Sequence, residues 1–355
     1  MEATMDAVKE TQSQAPVEAG PPPSVALLQL TTGTMVTQAV SVVARLGVAD
    51  ALAGGPKSCE DIAASVDADA PTLYRLLRAV ADRGVVIHLD DDRFELTPVG
   101  ELLRTDVHGS LRAWATMAGL PFHRDAWTDL YASVRTGEPA FARLHGTDLF
   151  GYLAGHPDDA AVFDAAMTSV SLSMLAGIVH AYDFGRFSTV VDVGGGRGGL
   201  LCAILLANPH LRGVLFDTPS VSAQARQTVE RAGVADRCDI AAGDFFSAVP
   251  SAGDLYILSN ILHDWDDPTA VRILKSCRVA MGGGRLLIVE GVLPDGAAIS
   301  VAKLVDLEML VLTPGGRQRT RADFERLLGD AGLRATKVVA ATMDVPASYV
   351  EAEAI

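Results

Sequence analysis

The sequence predicts an α/β protein in two parts, a mostly helical N-terminal half and a C-terminal half built on a parallel sheet with helices on both faces. Three observations carry this. From Ser188 onward, short apolar runs alternate with helical stretches, the texture of a parallel sheet with helices on both faces. The first of these runs leads into a glycine-rich turn, "VVDVGGGRGGL". Earlier in the chain, two helical segments are followed by a short hairpin, the pattern of a winged helix. At 355 residues, with 49% hydrophobic and 21% charged residues, the chain is globular and long enough for two cores.

Composition also narrows the partners. A net charge of −15 repels phosphate backbones, so nucleic acid is not expected as a partner. The N-terminus "MEATMDAVKETQ" is not a basic region followed by an apolar one, and no apolar run reaches the length of a membrane span. A cytoplasmic protein with no membrane partner is expected. Cys59, Cys202, Cys238 and Cys277 are far apart and contain no CxxC pair. They fit reduced, buried thiols rather than a metal site or a disulfide framework.

Residues 1–23 lack any apolar period, end in "GPPPS" and are expected to be a disordered tail. Residues 24–110 form the expected winged-helix dimerisation domain. It opens with a helical, strongly apolar stretch from Val25 to Leu52, too apolar for one surface helix and expected to be covered by a second copy. Ser58 can cap a short helix, Pro71 suits the first turn of the next, and Gly84 ends it. "VVIHLDDDRFELTP" then reads as a hairpin. Arg75, Arg78 and Arg83 on the second helix keep DNA binding as a distant alternative, but a wing tipped by Asp90, Asp91 and Asp92 suits it poorly. Residues 111–186 read as a helical linker and pocket region, with breaks at "TGEP" and "HPDD". Residues 187–355 supply five strand candidates, beginning at "TVVDVGG", "RGVLFDTP", "CDIAAGDFF", "GDLYILSNIL" and "GRLLIVEGVL".

Glycines are needed where a backbone must approach a ligand closely or take positive φ. Gly194, Gly196 and Gly199 match a dinucleotide fingerprint, which keeps that ligand open. Asp192, however, stands just before the glycines, where its carboxylate would repel a pyrophosphate and attract an ammonium group. Asp217 ends the second strand, placed to accept hydrogen bonds from both hydroxyls of a ribose. Asp244 and Phe245 end the third, offering a polar contact and an apolar wall to an adenine. Adenosine carrying an amino acid fits all of these, so S-adenosylmethionine is the expected cofactor, with no metal.

At this point the chain resembles the small-molecule O-methyltransferases that include plant caffeic-acid-type enzymes and bacterial tailoring enzymes of aromatic polyketides. The resemblance covers nearly everything after the tail. It includes "TQAVSVVARLGVADAL", "YRLLRAVADRGV", "RFELTPVGELLR", "VRTGEPAF", the glycine loop, "LHDWDD" and "GGRQRTRADFERLL". It implies a Rossmann-like methyltransferase domain behind a winged-helix domain that interlocks in a homodimer. It places cofactor contacts on Ser171, Gly194, Asp217, Asp244 and Phe245, and also on Ser259, where plant members carry a lysine. Its substrate pocket falls on Met167, Asp264, Met309 and Thr313, with Gln318 beside them, and a partner helix near Val25–Gln38 closes it.

A phenol, with a pKa of about 10, is mostly protonated at neutral pH and needs a base before it can attack a methyl group. His263 follows the fourth strand in "YILSNILHDWDD" and has the right ordinary pKa; the alternative is a histidine that merely caps this turn. Glu290, ending the fifth strand, is expected to orient the imidazole and stabilise its charged form. The acidic residues after His263 are expected to favour that form too. Where the family has "GGRERT" this chain has "GGRQRT", so a second carboxylate partner becomes the amide of Gln318. The reaction expected is methyl transfer to a hydroxyl, expected to be phenolic, of a small aromatic or polyketide-like metabolite. The alternative is non-methylating chemistry with the same cofactor.

Overall fold

In the computed structural model, residues 21–341 and 347–355 are described, without the side chains of 171–176. Residues 1–20 of the expected tail lie outside them. Two helices, Pro23–Thr31 and Gly33–Leu46, lead the chain. Leu27, Leu28, Leu30 and Met35 point outward from them, each more than 60% exposed. The helices Cys59–Val66 and Ala70–Ala81 follow, capped as their sequences imply: Ser58 Oγ accepts from Asp61 N at 3.1 Å and Asp69 from Thr72 N at 3.0 Å. Strands β1 (Lys57–Ser58), β2 (Val86–His88) and β3 (Arg93–Leu96) make a small antiparallel sheet in the order β1-β3-β2. Leu73, Leu77, Val80 and Phe94 close its core. The winged-helix pattern is therefore present.

The helix Arg112–Ala118 ties this region to the rest of the chain. Arg112 Nε donates to Ala44 O at 2.7 Å, and Ser41 Oγ to Thr116 O at 3.1 Å. The same helix packs on Pro157–Ala181, the long helix that carries Met167 and Ser171 across to the sheet.

Strands β4 (Thr189–Val193), β5 (Arg212–Asp217), β6 (Cys238–Ala242), β7 (Leu255–Ser259) and β8 (Arg285–Val289) are the five expected ones, all parallel. Short β9 (Val292–Leu293) and β10 (Arg319–Thr320) pair with each other. Strands β11 (Leu333–Val339) and β12 (Tyr349–Ala354) extend the main sheet antiparallel, in the order β11-β12-β8-β7-β4-β5-β6. The sheet is thus mixed, where an all-parallel one was read from the alternation. Charged Arg334 and Lys337 on edge strand β11, and Glu351 and Glu353 on β12, blur the apolar signal there. Burial alternates along the central strands: Val190, Leu215, Ile257 and Leu287 pack on one face, Val191, Phe216, Tyr256 and Ile288 on the other. The chain is an α/β protein with a Rossmann-like sheet. Among the described residues no single helix is long and apolar enough to cross a membrane, although the bent pair Pro23–Thr31 and Gly33–Leu46 reaches that length and composition together. All four cysteines are free and buried.

Candidate active site

Strand β4 lies between β5 and β7, so the chain leaves it toward one side of the sheet and later returns on the other. A crevice opens at the carboxyl ends of strands at such a reversal. The glycine loop follows β4 into that crevice, and the turn bearing His263 follows β7.

Gly194 and Gly196 take φ of 72° and 58°, and a Cβ on Gly194 would lie 2.6 Å from Ile261 Cδ1. Asp192 points to the Val190 face of the sheet and is 1% exposed, with neither carboxylate oxygen hydrogen-bonded. Burial, with Asp217 nearby, pushes its pKa up to about 7. Asp217 holds the loop: Oδ2 accepts from Gly196 N at 2.9 Å and Oδ1 from Thr218 N at 2.7 Å. Asp244 accepts from Phe246 N and Ser247 Oγ, each at 2.8 Å. Phe245 packs edge-on against Trp265, and its Cε1 lies 3.7 Å from where a Gly194 Cβ would be, so it forms one wall of the loop's mouth. Ser259 ends β7 opposite Val289. Ser171 lies on the long helix, but its side chain is outside those described.

His263 sits in the short turn Leu262–Asp264, its side chain 12% exposed. Nδ1 lies 2.7 Å from Gln318 Nε2, and Nε2 lies 3.6 Å from Asp264 Oδ1. Three expectations need correction. Glu290 does not hold the imidazole. Its Oε1 accepts from the backbone N–H of Ile261 at 2.9 Å, of Leu262, and of His263 at 3.2 Å, so it anchors the turn rather than the ring. The histidine is not made more basic by its acidic neighbours either. Burial, assisted by the Arg319 guanidinium, lowers its pKa to about 4, against a smaller opposing backbone contact from Asn260. Finally, burial, with Glu290 nearby, raises Asp264 to about 8, away from the ionised form that was expected to favour an imidazolium. Burial likewise lifts Glu290 to about 7, although Arg319 and the three amides pull it down.

Gln318 is 3% exposed, and its Oε1 is buried without a partner. With its N–H₂ toward the ring, the amide makes Nδ1 an acceptor and puts the proton on Nε2. Turned over, its carbonyl accepts from Nδ1–H and leaves Nε2 with a lone pair. A carboxylate in its place could only accept. On the substrate side, Met309 is buried and Met167 is half-buried against the core cluster to which Val311 and Leu312 belong. Thr313 caps the helix Ala302–Leu312, with its hydroxyl donating to Met309 O at 2.9 Å.

Sequence reasoning missed Arg319. It is 1% exposed and crosses from β10 to fasten the catalytic turn, donating to Leu262 O at 2.6 Å and Trp265 O at 2.8 Å and pairing with Asp267 at 3.0 Å. Burial pushes Asp267 up, but hydrogen bonds from Arg326, Arg319 and Arg317 outweigh it and hold the carboxyl at about 2. An arginine beside threonine in "GGRQRT" was the available signal.

Comparison with known proteins decides the family. A family model described as the O-methyltransferase domain matches residues 127–334, and one described as the O-methyltransferase dimerisation domain matches residues 28–106.

The chain belongs to the O-methyltransferase family.

Phenazine O-methyltransferase PhzM of Lysobacter antibioticus is 46% identical over 90% of this chain and 93% of its own length. 8-Amino-8-demethylriboflavin N,N-dimethyltransferase of Streptomyces davaonensis is 39% identical over 86% of this chain and 89% of its own. The solved structure of CalO1, a methyltransferase in calicheamicin biosynthesis with S-adenosylhomocysteine bound, superposes with a TM-score of 0.82 at 35% identity, covering 94% of this chain and 98% of that one. The protein is an S-adenosylmethionine-dependent methyltransferase of the kind that acts on secondary metabolites. The residues present fit that cofactor: the donor-less carboxylate of Asp192 suits an ammonium group, and the glycine at 194, where a Cβ would strike Ile261, lets the loop's backbone lie close against Ile261 and Phe245. Among the described residues no group of three or more His, Cys, Asp or Glu is arranged to hold a metal.

Proposed function

We propose that the protein transfers a methyl group to a ring hydroxyl, phenolic in character, of a small aromatic or polyketide-like metabolite, with His263 accepting the hydroxyl proton. The observation that carries the reading is the placement of the His263 imidazole at the carboxyl end of β7, beside the glycine loop's crevice, with Nδ1 held at 2.7 Å from the Gln318 amide. Bound S-adenosylmethionine supplies an electrophilic methyl group on a sulfonium. The chain does the rest. Asp192 receives the cofactor's ammonium, Asp217 its ribose hydroxyls, and Gly194, Asp244, Phe245, Ser259 and Ser171 line its remaining contacts. Met167, Met309 and Thr313 flank the acceptor ring.

The proton then moves from acceptor oxygen to His263 Nε2, which requires Gln318 to present its carbonyl to Nδ1. Asp264, its pKa raised to about 8, can donate a hydrogen bond toward the acceptor in its protonated form. Glu290 and Arg319 fix the turn so that the ring is already in place, the positioning on which such a displacement depends.

A second reading is methylation of a ring nitrogen or amine. It is favoured by the weak basicity of His263 and by the absence of a carboxylate at Gln318. A neutral amine needs no deprotonation before it attacks. Replacement of His263 by Ala separates the two. Oxygen transfer should fall by about a hundredfold or more at neutral pH, with affinity for S-adenosylhomocysteine nearly unchanged, because a positioned base is worth 10²–10⁴ in rate. Turnover that survives the substitution would sink the base and leave the nitrogen reading.

The active form we propose is a cytoplasmic homodimer. Leu27, Leu28, Leu30 and Met35 are large apolar side chains exposed on the first two helices, inside or beside the dimerisation-domain match at 28–106. A second copy is the partner that such exposed apolar side chains in a dimerisation domain fit.

A further inference from the structure

The mechanism above gives no role to His123. It lies on the helix Pro121–Thr128 and is 6% exposed. Its Nε2 is 2.6 Å from Oε1 of Glu308, on the helix Ala302–Leu312, and the other Glu308 oxygen accepts from Trp127 Nε1. This is the carboxylate–imidazole contact that Glu290 does not make with His263. An indole nitrogen can only donate and a carboxylate can only accept, so the proton between the ring and Glu308 belongs on Nε2. Nδ1 is then left with a lone pair, and it is buried with no hydrogen-bond partner among the described residues. Buried nitrogens of this kind are rare, because the group has given up water with nothing in return.

The wall that holds this nitrogen is the one proposed for the acceptor. Phe122 on His123's helix and Val311 and Leu312 on Glu308's belong to one apolar cluster, and Trp127 and Met167 pack against it. Met309, which flanks the acceptor ring in the reading above, follows Glu308 directly. Trp114 meets the imidazole edge-on, with ring centroids 6.2 Å apart. From this we infer that His123 determines specificity: its Nδ1 accepts a hydrogen bond from a second hydroxyl or N–H of the acceptor, at a ring position other than the one methylated. The preferred substrate is then an aromatic ring with two proton-donating substituents. The inference rests on the aromatic acceptor proposed above and narrows its class. The competing role for His123 is a strut that ties the two helices together through Glu308.

Calorimetry on the full-length protein with S-adenosylhomocysteine bound separates these roles, using a panel of dihydroxynaphthalenes and the naphthols that lack the second hydroxyl. The best-bound dihydroxy isomer should exceed its parent naphthol by roughly ten- to hundredfold, the range for a buried nitrogen that gains or lacks its partner. His123→Phe should collapse that ratio toward one. In Glu308→Gln the amide carbonyl must take the Trp127 N–H, so the amide N–H₂ faces Nε2 and the ring proton moves to Nδ1. Preference should then shift from the dihydroxy isomer to its monomethyl ether, whose ether oxygen can only accept. Nitrogen-15 spectra report the tautomer, with the His123 signal identified by its loss in His123→Phe. Naphthols and dihydroxynaphthalenes that bind equally well would overturn the inference and leave the aromatic acceptor standing. So would a His123→Phe variant that weakens both classes by the same factor, the result a strut produces, or a wild-type ring protonated on Nδ1 at neutral pH. Failure of every probe to bind would instead overturn the aromatic acceptor, and the inference with it. If His123→Phe does not fold, Glu308→Gln decides, and an unchanged ratio there overturns the inference.

Discussion

Replacing Gln318 by Glu tests how this site sets the basicity of its histidine. The amide nitrogen is 2.7 Å from His263 Nδ1, and the residue is almost wholly buried, so the new carboxylate would meet the ring with little water between them. An opposite charge at that range raises a histidine's pKa by roughly 1–3 units. Starting from about 4, the imidazole should then titrate between roughly 5 and 7. A counter-effect is visible nearby. Burial already holds Glu290 near 7 and Asp264 near 8, and a third carboxyl would feel the same penalty. The new carboxyl and the ring would therefore share protons as a unit.

The ring still gains, because a carboxylate can only accept and so fixes the proton on Nδ1, leaving the Nε2 lone pair toward the acceptor. If about half of a two-unit gain in basicity is expressed in the transition state, transfer to a phenol should quicken roughly tenfold at pH 8. Nitrogen-15 spectra of the imidazoles report both pKa and tautomer. With 8 histidines in the chain, the signal of His263 is identified by its loss in His263→Ala. An unchanged titration below pH 5 in Gln318→Glu, with Nδ1 still unprotonated, would refute the reasoning.

Three further outcomes are expected. Glu290→Gln should be nearly neutral in stability, because an amide carbonyl can still accept from the turn, whereas Glu290→Ala leaves up to three N–H groups without their acceptor and should cost about 1–3 kcal/mol or more by chemical denaturation. Ligand-free protein should lose thermal stability as pH rises from about 4 to about 8. Asp192, Glu290 and Asp264 have raised pKa values, so their contribution is complete below about 4 and is lost as pH climbs through 7–8. His263, lowered to about 4, acts in the opposite sense and only below about 6.5. Asp192→Asn should flatten part of the decline in scanning calorimetry. Removal of residues 1–23 should leave the dimer intact, while removal through Gln38 should yield monomer or precipitate; light scattering that finds full-length protein monomeric would contradict the dimer.

The sequence was enough to read the architecture, because its cues are local. Ser58 and Gly84 mark helix ends through their own backbone chemistry, and the alternation of apolar runs sets five strands whatever lies around them. The glycines at 194 and 196 and the carboxylates at 192, 217 and 244 were legible for the same reason, since strand ends in such a sheet converge on one crevice. Strands β11 and β12 were not legible: an edge strand tolerates arginine and lysine, and its neighbour carries glutamates that pair with Arg186, Arg285 and Arg334. The finer properties of the site depend on distance through space. Glu290 ends its strand where the sequence puts it, but whether its carboxylate reaches a ring or three backbone amides depends on how the turn after β7 folds over β8. His263 is followed by acids along the chain, yet Arg319, 56 positions away, and the exclusion of water set its charge. A pKa is fixed by surroundings rather than by neighbours in sequence, so only the tertiary structure could give the histidine its weak basicity and leave the Asp192 carboxylate without a donor.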